Sequence, residues 1–83
     1  MSTVIWYKNI RIEIRTKEKN HTGQPHCHAV RGEGKGRDEL SVDLDAMTVM
    51  AGQGFSKNDV ARIIENIKEH REALVAKWEE YHG

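Results

Sequence analysis

Six residues restrict this chain more than any others. Ile10-Arg11-Ile12-Glu13-Ile14-Arg15 alternates apolar and charged side chains throughout. A strand sends successive side chains to opposite faces, so this period of 2 gives one apolar and one polar face. A helix would not gather the three isoleucines on one side. The stretch therefore reads as a strand in a sheet with one covered face. Ile10, Ile12 and Ile14 are assigned to the core; Arg11, Glu13 and Arg15 go to water or to a ligand. An apolar sheet face needs a second layer packed on it.

The C-terminal third supplies a candidate for that layer. No Gly or Pro interrupts residues 57–82. Val60, Ile63, Ile64 and Ile67 follow the i, i+3, i+4, i+7 spacing of a helix with one apolar stripe. Leu74, Val75, Trp78 and Tyr81 continue it. Ser56 is suited to cap the start, with Asp59 three residues on and Phe55 placed to staple against Val60. One continuous helix would be about 40 Å long, whereas strands of five or six residues span about 17–20 Å. Polar His70-Arg71 falls where the next core layer belongs. Either the helix breaks near 68–70, or its second half packs beyond its own sheet.

Further strands are read at Thr3–Tyr7, before a Lys8-Asn9 turn, and at 26–31 after Pro25, which disfavours helix at Gln24. Leu40, Val42 and Leu44 alternate with Ser41, Asp43 and Asp45, and Met47–Met50 pairs back as a short strand. Gly52-Gln53-Gly54 is read as the end of the sheet. Thr16–Pro25 is a polar connection. The expectation is one α+β domain, residues 1–83. An antiparallel sheet of three or four strands occupies 3–50, covered by a helical segment, 57–82, as one helix or two.

The 83 residues contain one cysteine, so no internal disulfide is available. No basic segment followed by an apolar run opens the chain, and no apolar stretch approaches the roughly 20 residues of a membrane span. A reducing cytoplasm is expected. Net charge is zero but unevenly placed: residues 1–37 hold eight Lys/Arg against three Glu, and residues 38–83 hold five against ten Asp/Glu. A basic half could meet an anionic partner, or the two halves could neutralise each other within one fold.

The candidate chemistry centres on Gln24-Pro25-His26-Cys27-His28-Ala29-Val30. On a strand, His26, His28 and Val30 share one face, and Cys27 and Ala29 the other. His26 and His28 with His21 folded back would offer three nitrogens, and Glu33 an oxygen, to zinc or another divalent ion. No compact motif such as His-Glu-x-x-His supports that set, and Cys27 points the other way. Nothing in the sequence requires a cofactor. The same histidines, beside Arg11, Arg15, Lys17, Lys19, Arg31, Lys35 and Arg37, could bind RNA or cleave it without metal, His26 and His28 acting as acid and base. Gly32-Glu33-Gly34-Lys35-Gly36 lacks P-loop spacing and reads as a flexible loop. A third class needs no special chemistry. Open sheet edges invite strand addition, and Trp78 and Tyr81 either close the core or form a protein-binding surface.

The chain resembles the small prokaryotic family named domain of unknown function 4160. The similarity lies in the Ser2-Thr3-Val4-Ile5 opening, Ile10-x-Ile12-x-Ile14, Pro25-His26-Cys27-His28 with Gly32-Glu33 following, Leu44-Asp45-Ala46-Met47-Thr48-Val49, and His70-Arg71-Glu72-x-Leu74-x-x-x-Trp78-Glu79. Gln24 and Ala29 depart from the family pattern of Pro-Pro before the first histidine and Val after the second, and Thr22-Gly23 lengthens the loop from Asn20. The family has no established activity. Its members are often encoded beside a small protein of domain-of-unknown-function family 2442, in an arrangement like a toxin–antitoxin pair. The resemblance thus implies a protein partner of that type; a homodimer is the other assembly expected.

Overall fold

A computed structural model of the protein describes residues 2–15 and 24–82. Five strands, β1 (Ser2–Tyr7), β2 (Ile10–Ile14), β3 (His26–Arg31), β4 (Asp38–Asp43) and β5 (Thr48–Gln53), form one antiparallel sheet in the order β1-β2-β3-β4-β5. Two helices follow, α1 (Lys57–Glu69) and α2 (Arg71–His82). The fold is α+β, with five strands where three or four were expected. Each of the five stretches read as strands forms one; the last, read as Met47–Met50, runs instead as Thr48–Gln53, its ladder continuing through Gly52-Gln53, where glycine suggested a stop.

Cross-strand register sorts the two faces. Ile12 lies opposite Ala29, and Ala29 opposite Leu40, while Cys27 lies opposite Val42. With Ile10, Ile14 and Leu44 these form the buried layer that meets Ile63, Ile67, Leu74 and Trp78 of the helices. Both hairpin turns at the sheet ends use a non-glycine residue in the left-handed region, Lys8 at φ 55° and Met47 at φ 57°. Gly54, at φ 90°, closes β5, and a Cβ there would strike the Asp38 carboxylate.

Of the two arrangements left open by the polar layer, the helical segment adopts the break. His70 leaves helical geometry at φ −113°, ψ 18°, and α2 starts at the next residue. Arg71 Nε donates to the Leu44 carbonyl at 2.8 Å, tying the first residue of α2 to the end of β4. His82 Nε2 donates to the Arg15 carbonyl at 2.8 Å, tying its last turn to the end of β2. At the front of α1, Ser56 Oγ accepts from the Asp59 backbone N–H at 3.1 Å, as the capping pattern required. No helix among the described residues is long and apolar enough to cross a membrane.

Candidate functional site

By strand alternation the histidines leave β3 on the side opposite Cys27 and Ala29, and His26, at the start of the strand, still reaches Trp78 of the core. One cross-strand row runs Glu13, His28, Ser41, Ala51; the next runs Arg11, Val30, Glu39, Gln53. His26 lies opposite Asp43. Charged residues at alternate positions of β2 and β4 put their side chains here, by the period of 2 that directs the isoleucines the other way. The face is not simply wet. Glu13 is 2% exposed and His26 and His28 are 7% each, and these are the buried polar side chains among the described residues. Burying ionisable groups costs free energy unless partners compensate.

Partners are present. The Glu13 carboxylate lies 4.0 Å from Arg11 Nε and 3.8 Å from Arg15 Nη2. Glu39 Oε1 accepts from Arg15 Nη2 at 3.1 Å and from Arg37 Nε at 2.9 Å. Burial by itself would raise the Glu39 pKa; the hydrogen bonds and charge of Arg15, the hydrogen bond of Arg37 and the nearby His28 outweigh it, so the net shift is downward. His28 Nδ1 is 3.2 Å from Ser41 Oγ and 3.7 Å from Glu39 Oε2.

His26 Nδ1 lies 2.8 Å from the Gln24 carbonyl oxygen. A carbonyl only accepts, so Nδ1 is the donor. The His26 ring meets His28 edge-on at 5.2 Å and Trp78 at 4.9 Å, and Trp78 stacks on His82 at 4.0 Å. Four rings thus run in series from the sheet to the end of α2.

Several chemistries can be weighed on this geometry. Ser41, His28 and Glu39 do not form a nucleophilic triad, because serine and carboxylate approach the same ring nitrogen, whereas a triad needs them on opposite nitrogens. Among the described residues no group of three His, Cys, Asp or Glu is arranged to hold a metal ion. His21, the proposed third nitrogen, lies outside the described residues, as do Lys17 and Lys19. Cys27 faces the core, and burial pushes its thiol up to about 12, which keeps it protonated and unreactive. A shallow depression of about 310 Å³ opens between β4 and β5, lined by Arg37, Glu39, Ser41, Ala51, Gly52 and Gln53.

The residues picked out for binding separate. Arg11, Arg15 and Arg37 gather on the histidine face. Arg31 is on the other: its guanidinium meets Asp38 at 2.6 Å and Asp59 at 3.6 Å and lies 4.8 Å from the Phe55 ring, bracing the start of α1 against the sheet. Lys35 is exposed in a short 3₁₀ turn, Gly34–Gly36. Trp78 is in the core at 5% exposure, and Tyr81 packs half-buried against it. Glu13, Glu39 and Ser41 were not singled out from the sequence as site residues. No local motif marks them, since each reaches His28 only through strand pairing.

The sequence profile of one family, described as domain of unknown function (DUF4160), matches residues 9–79. This chain belongs to the DUF4160 family. No curated protein and no solved structure matches it. The DUF4160 match spans β2 through most of α2, so it takes in the histidine strand, both rows of the polar face and the hinge at His70.

Proposed function

We propose that this protein is the interaction component of a prokaryotic toxin–antitoxin-like two-protein module, binding a small partner encoded beside it, of the domain-of-unknown-function 2442 type. The observation that carries this reading is β5. It is the outer strand beyond β4, all six of its residues are exposed, and it bears no charge in a chain that is 31% charged. A bulge opposite Ser41/Val42 makes Met50 an extra residue, leaving Val49 43% and Met50 49% exposed side by side. An uncharged, apolar edge suits contact with a protein.

The electrostatics favour a protein partner over nucleic acid. Arg11, Arg15, Arg31 and Arg37 are each paired with a carboxylate, drawn from Glu13, Asp38, Glu39 and Asp59. Among the described residues, these four cations already face four carboxylates, which weakens what they can offer a phosphate backbone. Co-expression with the adjacent gene product, followed by pull-down, tests the reading. Capture of the partner by the wild type is expected. A Val49→Lys, Met50→Lys double variant with unchanged circular dichroism should lose at least about tenfold in affinity, as expected for removing one apolar anchor. Undiminished binding by that variant would discard β5 as the docking edge, and no capture by the wild type would discard the pairing.

A further inference from the structure

The break between α1 and α2 is one residue long, and the sequence does not enforce it. Residues 57–82 contain no Gly or Pro. His70 leaves helical geometry, yet helical bonding reaches it from both sides: its N–H donates to the Asn66 carbonyl at 3.3 Å, and its carbonyl accepts from the Leu74 N–H at 3.0 Å. His70 Nδ1 lies 3.0 Å from the same Asn66 carbonyl and helps close α1. Turning His70 into the helical region makes one helix of about 40 Å and brings the N–H groups of 71–73 to the carbonyls of 67–69. In that helix the buried Ile63, Ile67, Leu74 and Trp78, spaced 4, 7 and 4 apart, fall on one stripe. Such a stripe outruns the sheet it starts on, since five or six strand residues span about 17–20 Å.

The seat of α2 is built from the sheet, so a second copy of the chain offers the same seat. The helix packs on β1, β2 and β3. Leu74 and Trp78 enter the core, Arg71 Nε donates to the Leu44 carbonyl and sits 3.7 Å from Asp45, and His82 Nε2 donates to the Arg15 carbonyl. Each of these contacts joins α2 to the core or to the sheet and its ends, and each is remade when α2 of one molecule occupies the seat of another.

The charges around the break suit a second copy. Lys68, Glu69, Arg71 and Glu72 are all exposed, and their signs read as a palindrome about His70. A two-fold axis at His70 sets Lys68 against Glu72 of the second copy and Glu69 against Arg71 of the second copy. Opposite charges meet at all four positions. We infer that the chain forms a domain-swapped dimer, in which two continuous helices cross at His70 and each α2 seats on the other molecule. Monomer and dimer share the contacts of α2. They differ by the helical bonds gained at the break and the ion pairs at the crossing, set against the freedom lost on association. The dimer is therefore concentration-dependent. Its seats lie over β1–β3 and leave both β5 edges open, so the exchange is independent of the partner proposed for β5.

The test is refolding of the full chain from urea at about 10 µM and about 1 mM protein, followed by size-exclusion chromatography with light scattering. A mass of 9.5 kDa is expected at the lower concentration and twice that at the higher. His70→Ala removes the side-chain contact to Asn66 and favours a continuous helix, so it should dimerise at about tenfold lower concentration. A Gly-Ser-Gly insertion after His70 lets α2 fold back without strain and should stay monomeric with unchanged circular dichroism. Lys68→Glu alone and Glu72→Lys alone should each dimerise less than wild type. Refolding these two variants together should restore the dimer, because only the mixed pair places opposite charges across the axis. A monomer at both concentrations in wild type and His70→Ala would overturn the exchange. So would a dimer that survives the hinge insertion, which marks association through an outer surface, or a mixture no more dimeric than its components.

Discussion

At the residue scale, neighbouring positions on β3 have opposite fates. Cys27 and His28 are adjacent, yet one faces the apolar layer and the other a network of charge. Burial alone acts on Cys27 and lifts its thiol to about 12, so at neutral pH essentially no thiolate forms in the folded state. The unfolded thiol, near the ordinary value of about 8.5, reacts readily. The native protein should therefore label with a thiol reagent at least about a hundredfold more slowly than the chain in denaturant, with the native rate tracking unfolding. Rapid native labelling would show that β3 does not hold Cys27 in the core. Its inward direction was legible, because period 2 after Pro25 fixes which side chains share a face. The burial of Glu13 was not. The alternation sends Glu13 outward, and it does leave the apolar face, but the outward face at that row is itself closed, at 2% exposure. Only the register with His28 and the arginines of β2 makes that position tolerable for a carboxylate, and register is a property of pairs of strands.

At the element scale, the helix pair shows what spacing reveals and what it leaves open. The stripe of Val60, Ile63, Ile64 and Ile67 and the polar interruption at His70 left two arrangements open, a break near 68–70 or one helix outrunning the strands, and the break is the one that forms. The tether that makes the break useful, Arg71 to the Leu44 carbonyl, joins residues 27 apart in sequence and has no local signature. Beyond the break, α2 is anchored by Trp78, which touches the sheet through His26 and its own last turn through His82. Truncating a buried tryptophan costs about 3–5 kcal/mol, while an 83-residue domain is stable by roughly 4–12 kcal/mol in total. Trp78→Ala should accordingly unfold most or all of the protein at 25 °C, whereas Trp78→Phe should keep a cooperative urea transition at a lower midpoint. Tyr81→Ala, at a half-buried position, should cost about 1 kcal/mol. Equal losses for Trp78→Ala and Tyr81→Ala would mean that α2 is not seated on Trp78.

At the scale of the whole molecule, the two oppositely charged halves of the sequence meet within the fold. Arg15, Arg31 and Arg37 from the basic half find Glu39, Asp38 and Asp59 in the acidic half. Glu39 is the node of this exchange, and it makes stability depend on pH. Its folded pKa lies below the ordinary value of 4.5 because Arg15 and Arg37 overcome the effect of burial. The unfolded chain therefore binds its proton at higher pH than the folded chain does. The stability this residue contributes is complete above about 4.5 and disappears as pH falls through the lower, folded value. Glu39→Gln removes the charge at every pH, so it should be less stable than wild type at pH 7. The gap should close as both are acidified below about pH 4.5. Urea midpoints at pH 7, 5, 4 and 3 for the two proteins read this directly. Asp43 is also shifted downward, chiefly by the Ala46 backbone N–H, but it is present in both proteins and drops out of the difference. Added salt should narrow the gap at pH 7 only partly, because screening over about 8–10 Å acts weakly on a half-buried pair held at hydrogen-bond distance. A gap that stays constant from pH 7 to 3 would show that the arginines do not hold Glu39 as a carboxylate, and the internal neutralisation of the two halves would lose its central contact.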